Sequence, residues 1–208
     1  MRKKKFFFIV FEGIEGTGKS YQINKLYNNL KKLGYNPKKT REPGGSKTAE
    51  KIRNLIFSNS SIKFDKLTDF YLMNAARNEH VKKTLLNARK KKKIIISDRF
   101  TDSTYAYQVI GNKIDKKINL INQKYILGGL KPNLTIILRS HFRTIYNRIK
   151  KRNKINKFDK LKTVFYKRAQ NAFLYLEKKN KNYLVFDSYK NTPELEKKIL
   201  SAVLKKIS

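Results

Sequence analysis

Eight consecutive residues, Gly13-Ile14-Glu15-Gly16-Thr17-Gly18-Lys19-Ser20, have the types and spacing needed to hold a phosphate chain. Glycines at 13, 16 and 18 let the backbone curl tightly and turn its N–H groups toward phosphate oxygens. A helix starting near Lys19 adds the positive end of its dipole. Lys19 is expected to be open to the β- and γ-phosphates of a nucleotide, and the Ser20 hydroxyl to ligate Mg²⁺. The apolar run Phe6-Phe7-Phe8-Ile9-Val10-Phe11 stands immediately upstream and a helical pattern immediately downstream. Strand, glycine loop and helix in that order are the context in which this motif is a phosphate-binding P-loop.

Other residues with chemical potential lie further along. Lys93-Ile94-Ile95-Ile96-Ser97-Asp98-Arg99 is a β-branched run that ends on an acid and a base. An all-apolar run suits a buried parallel strand, and open α/β sheets carry their chemistry at the C-terminal ends of such strands. Asp98 is therefore expected to approach Mg²⁺ directly or through water. Ser103-Thr104-Tyr105-Ala106-Tyr107-Gln108 brings hydroxyls and an amide to the same end. Arg77 sits beside an apolar helical stripe (Phe70, Met73, Ala76, Val81, Leu85) and would need a partner if buried, which makes it a candidate anion ligand. Thr40-Arg41-Glu42-Pro43-Gly44-Gly45 predicts a turn rich in breakers, on which Arg41 reads equally as an anion ligand or a surface arginine. From Arg148 to Lys157 the chain carries six basic residues and meets no acid until Asp159. Such a run reads as a solvated face, or in a phosphotransferase as a lid over the transferred group.

The elements that must position these groups alternate. Ile23, Leu26, Tyr27, Leu30 and Leu33 predict a helix stopping at Gly34. Residues from Thr48 to Phe57 predict a short helix with Ile52, Leu55 and Ile56 inward and Arg53 on another face. A longer helix is predicted from Asp69 to Ala88, strands over Asn133–Leu138 and Tyr183–Asp187, and helices after each. The helix between those last two strands turns Phe165, Ala169, Phe173 and Leu176 inward, and Thr192-Pro193 caps the final one. Strand and helix in alternation define an α/β fold, a P-loop, doubly wound parallel sheet of about five strands with helices on both faces. The 208 residues form one domain with a basic lid at about 148–159.

The sequence contains no cysteine, which excludes disulfides and thiolate chemistry. His80 and His141 stand alone, so a zinc site is not expected. The basic start Met1-Arg2-Lys3-Lys4-Lys5 precedes an apolar run too short for a signal peptide, and no run reaches membrane-spanning length. A cytoplasmic protein is expected. The net charge of +35 is spread along the whole chain instead of forming one patch, so specific nucleic-acid binding is not expected, although the field favours phosphate-bearing substrates. From these residues the open readings are a nucleotide kinase, a deoxynucleoside kinase, and a nucleic-acid-binding P-loop ATPase.

Over nearly its whole length the sequence resembles the bacterial thymidylate kinases. The resemblance rests on the P-loop with Glu15 inside it, Thr40-Arg41-Glu42-Pro43-Gly44-Gly45, Ala75-Ala76-Arg77, Asp98-Arg99-Phe100, Ser103-Thr104, Ala106-Tyr107-Gln108 and Lys131-Pro132. It implies ATP-dependent, Mg²⁺-requiring phosphorylation of dTMP to dTDP by a homodimer. It also implies that Arg77 and Arg99 hold the acceptor phosphate with help from Arg53, and that Thr104 and Gln108 bond the thymine edge or its surroundings. Tyr107 would stand against the deoxyribose and disfavour a 2′-hydroxyl, and Glu15 would lie near the reacting groups. Three departures from the family pattern stand out. Met73 stands where a phenylalanine usually stacks on thymine. Asn133 and Arg139 replace aspartates at the two ends of one strand. Asn156-Lys157-Phe158-Asp159 replaces the usual lid sequence, which leaves Arg152, with Lys157 second, as the expected lid cation.

Overall fold

The structure is a computed structural model that describes residues 5–57, 64–151 and 163–207. Its first strand, β1 (Phe7–Glu12), is buried at every position. It lies in the middle of a parallel sheet of order β2-β3-β1-β4-β5, in which the other strands are β2 (Pro37–Arg41), β3 (Ile94–Asp98), β4 (Leu134–Arg139) and β5 (Tyr183–Asp187). Side chains alternate across the strands, so β1 feeds two cores. Phe7, Ile9 and Phe11 pack with α1 (Lys19–Lys32) and α9 (Pro193–Ile207) on one face. Phe8 and Val10 pack with Val81, Leu85 and Phe100 on the other. Each such side chain withdrawn from water contributes about 1.5–3 kcal/mol.

The remaining helices are α2 (Lys47–Phe57), α3 (Lys66–His80), α4 (Leu86–Lys90), α5 (Thr101–Thr104), α6 (Lys116–Leu127), α7 (Phe142–Lys150) and α8 (Thr163–Lys178). The single helix expected over Asp69–Ala88 is α3 and α4 joined by a π-helical turn, Val81–Leu85. A second π-helical stretch, Tyr105–Gly111, follows α5. Thr192 caps α9 as expected, its Oγ1 accepting the Leu195 N–H at 3.3 Å.

Two expectations need correction. Thr40 and Arg41 are not in a turn but complete the edge strand β2, where Arg41 is in register with Asp98. Leu55 does not face inward: it is 49% exposed, because the buried stripe of α2 runs through Ala49 and Ile56.

At the C-terminal edge of the sheet the loop after β1 leads toward β2 while the loop after β4 leads toward β5. The chain therefore diverges beside the P-loop, which is where open α/β sheets form their ligand crevice. Of the departures noted above, Asn133 Oδ1 accepts the Phe8 N–H at 2.8 Å, a task an amide performs without charge. Arg139 pairs with Asp187 at the end of the neighbouring strand, 2.7 and 3.0 Å away.

Candidate active site

The P-loop leaves β1 through Gly13, whose φ of 131° and close packing exclude a side chain: a Cβ there would stand 2.3 Å from the Leu138 carbonyl oxygen. Thr17 Oγ1 donates to the Ile14 carbonyl at 2.8 Å and stiffens the loop from within. Lys19 is not open as expected. It is 7% exposed, and its Nζ donates to the Gly13 and Ile14 carbonyls at 2.9 and 3.0 Å. Burial, and then the charge of Arg99, lower its ammonium to about 8 against the pull of Asp98 and Glu15.

Ser20 Oγ lies 3.2 Å from Asp98 Oδ2, joining the first turn of α1 to the end of β3. Asp98 Oδ1 is buried and has no hydrogen-bond partner among the described residues. Hydroxyl and carboxylate oxygens side by side, one carboxylate oxygen still uncommitted, match the hard-donor preference of Mg²⁺. The residues present fit that ion.

A cleft of about 510 Å³ opens beside the loop. Its walls include Arg53, Met73, Arg77, Arg99, Thr104, Tyr107 and Gln108, together with Glu15, Lys19, Ser20 and Asp98 of the nucleotide side. Every acceptor-side residue expected from sequence thus meets the P-loop in one cavity. Arg53 donates to the Pro43 carbonyl at 2.7 Å and stacks on Phe57. Thr104 and Gln108 are each 2% exposed and Met73 8%.

The two central arginines are each gripped by a buried acid. Arg99 Nη2 donates to Glu15 Oε1 at 2.7 Å, and its Nη1 to the Gly13 carbonyl and Ser103 Oγ at 3.0 and 2.9 Å. Tyr107 donates its hydroxyl to Glu15 Oε2 at 2.5 Å. Burial would raise the Glu15 carboxyl, but Arg99, Lys19 and the tyrosine outweigh it and hold it below its ordinary range. Arg77 Nε donates to Glu42 Oε2 at 2.7 Å, Nη2 to the Phe100 carbonyl at 3.0 Å, and Nη1 to Asn74 Oδ1 at 3.4 Å. One hydrogen on each Nη atom is left without a partner among the described residues, and Arg77 lines the cleft. Breaking a buried pair of this kind by removing one partner costs about 3–5 kcal/mol.

Sequence reasoning missed the residues behind the arginines. Glu12 Oε1 accepts the Phe100 and Ser103 N–H groups at 2.8 and 3.2 Å, and its Oε2 the Ser103 hydroxyl at 2.7 Å. Arg148, an outside candidate for the lid cation that the sequence places on the helix before the basic run, does lie on that helix, α7, and donates to the Gly16 carbonyl at 3.1 Å and to the Ser188 and Tyr189 carbonyls, bracing the P-loop from the far side. His80, read as isolated, bonds Glu42. Its spacing of three from Arg77 puts the two on one face of α3, but nothing in the sequence points to Glu42. Arg152 and Lys157, the expected lid cations, lie outside the described residues.

A P-loop at the switch point of a parallel sheet, with arginines lining the same cleft, is the arrangement of a P-loop phosphotransferase. Comparison with known proteins narrows the class. A family model described as thymidylate kinase matches residues 11–199. The chain is 35% identical over 199 residues to the thymidylate kinase of Sulfurihydrogenibium sp., covering 95% of this chain and 96% of that one. It is 36% identical over 168 residues to that of Acinetobacter baylyi, covering 80% and 82%. The crystal structure of thymidylate kinase from Ehrlichia chaffeensis superimposes with a TM-score of 0.76 at 30% identity, over 98% of this chain and all of that one. The chain belongs to the thymidylate kinase family.

Proposed function

We propose that the protein transfers the γ-phosphoryl group of ATP to the phosphate of dTMP, giving dTDP and ADP, with the cleft residues in the following roles. The observation that carries this reading is the meeting of Arg77 and Arg99 with the P-loop in one cavity, which suits a phosphorylated acceptor. Gly13 to Ser20 cradle the ATP phosphates. An oxygen of the dTMP phosphate attacks the γ-phosphorus as the bond to the β,γ-bridging oxygen breaks, and ADP leaves with that electron pair. The attacking oxygen is already ionised, so no general base is required. Catalysis rests on positioning and charge neutralisation.

Ser20 and Asp98 would hold Mg²⁺, which when bound neutralises charge on the β- and γ-phosphate oxygens. Arg77 and Arg99, assisted by Arg53, hold the acceptor phosphate. Thr104 and Gln108 face the base, Met73 covers it, and Tyr107 stands against the sugar, where its hydroxyl is fixed by Glu15. Lys19 exchanges its contacts with the Gly13 and Ile14 carbonyls for phosphate oxygens when ATP enters.

The whole chain is read as one catalytic domain, with the lid cation assigned to Arg152 and Lys157. Family membership supports a cytoplasmic homodimer, and exposed Leu120, Ile121 and Tyr125 on α6 offer apolar surface for such a contact. No helix of the described residues is long and apolar enough to cross a membrane. No specific nucleic-acid partner is included.

The deciding experiment is a coupled ADP-release assay with ATP and Mg²⁺ across the nucleoside monophosphates. Clear preference for dTMP over UMP and CMP is expected. Equal or better turnover of a ribonucleotide would overturn the assignment, and DNA-stimulated ATP hydrolysis without dTMP would favour the ATPase alternative.

A further inference from the structure

The contacts behind Arg77 run away from the cleft and end on a histidine. Arg77 Nε donates to Glu42 Oε2 at 2.7 Å. His80 Nδ1 stands 2.8 Å from Glu42 Oε1, and Thr40 Oγ1 stands 2.7 Å from His80 Nε2. The ring is fully buried, with Glu42 and Arg77 at 4% and 3% exposure. Burial alone would raise the Glu42 carboxyl, but Arg77 and then His80 outweigh it and keep it below its ordinary range. An ionised carboxylate only accepts hydrogen bonds, so His80 must carry a proton on Nδ1.

The ring has little freedom. A Cβ on Gly45 would stand 2.4 Å from Thr40 Oγ1 and 2.5 Å from His80 Cδ2, so the glycine turn closes directly over it. Thr84 Oγ1 donates to the Gly45 carbonyl at 2.7 Å and pins that turn. His80 therefore ties together three separate pieces: the end of β2, the turn after it, and the face of α3 that carries Arg77.

We propose that His80 is a positioning residue for the acceptor phosphate: its Nδ1–H orients the Glu42 carboxylate, which sets the angle at which Arg77 presents its free N–H groups to the cleft. Without that donor one Glu42 oxygen is buried and unsatisfied, and the carboxylate is free to turn away from Arg77. The proposal rests on the reading of Arg77 as a ligand of the acceptor phosphate.

The test combines kinetics with a measurement on the unaltered protein. In ¹⁵N NMR of the unaltered protein, the buried histidine is expected to show a protonated Nδ1, and an unprotonated Nδ1 overturns the proposal whatever the variants do. His80→Ala is expected to raise KM for dTMP about 10-fold while KM for ATP stays within about 2-fold. His80→Asn, whose amide N–H can reach toward Glu42, is expected to recover most of that loss. Equal effects on both KM values, or His80→Asn no better than His80→Ala, overturn the proposal. Arg77→Ala separates the two readings. If it leaves KM for dTMP unchanged, the Arg77 reading fails and the proposal with it. If Arg77→Ala raises that KM and His80→Ala does not, the proposal alone fails. In the Arg77→Ala background, His80→Ala should add little further loss, because it acts through the missing arginine. Full additivity is the opposing result.

Discussion

Arg99 and Glu15, 84 residues apart in sequence, meet at 2.7 Å across the mouth of the P-loop. The pair joins the P-loop to the segment that follows β3. Arg99 adopts a positive φ of 73°, a conformation that residues with side chains rarely take. It is held there by the Phe11 carbonyl, which accepts its N–H at 2.9 Å, and by the Ser97 hydroxyl, which donates to its carbonyl at 2.7 Å. Glu15→Gln keeps the size but removes the charge that steers the guanidinium. The variant is expected to lower kcat roughly 10-fold with a smaller change in KM for ATP. Steady-state kinetics with each substrate varied in turn check this, and unchanged kcat would mean the pair only stabilises the fold.

Lys19 rests on the carbonyls of its own loop, an arrangement that ATP would have to displace in the proposed reaction. Lys19→Ala is expected to remove at least about 10³-fold in turnover, as loss of a principal charge stabiliser does. Each hydrogen bond given up is worth only about 1 kcal/mol. The melting temperature without ligand should therefore fall modestly, while the stabilisation normally produced by ATP should be lost. Thermal unfolding with and without ATP measures both.

Met73 lines the cleft where the family pattern has an aromatic ring. A thioether covers a base without fixing its orientation. Met73→Phe is expected to tighten dTMP by roughly 3–10-fold, the range of an aromatic stacking contact, and to widen the preference for dTMP over UMP. KM and kcat for both nucleotides test it, and a weaker KM for dTMP would show that the pocket has no room for a ring.

Glu12 and Asp102 titrate unusually. Burial, followed by the charge of Asp102, raises Glu12 to about 8, and burial raises Asp102 to about 6. Both folded values exceed the ordinary 4.5 and 3.8, so the folded protein holds these protons more tightly than the unfolded chain. Their contribution to stability is complete below about pH 4 and declines as pH rises through about 6 to about 8. Urea unfolding of the ligand-free protein should therefore show stability falling between pH 5 and pH 7.5, on the order of 1 kcal/mol per pH unit for each group titrating. In Glu12→Gln that slope should flatten. A slope that survives the substitution would assign the dependence elsewhere.

The P-loop and the strands β1, β3, β4 and β5 are legible in the order of residues because each is a local signal: an apolar run, a glycine spacing, an acid at a strand end. Edge strand β2 is not, since Pro37-Lys38-Lys39-Thr40-Arg41 shows no apolar run. It is a strand because β3 offers it a row of backbone partners from Ile94 to Asp98, and a solvent-facing edge tolerates lysine. The residues proposed to bind nucleotide follow from spacing alone, since a continuous loop would enclose a phosphate chain with its own backbone. The acceptor pocket does not, because Arg77, Arg99 and Tyr107 come from separate elements and acquire meaning from where those elements pack. Least legible are the groups behind the arginines. Burying a guanidinium demands an acid and further acceptors nearby, but only packing determines that Glu15 serves Arg99, that Glu42 serves Arg77, and that a histidine with no ligand-like spacing stands 2.8 Å from Glu42.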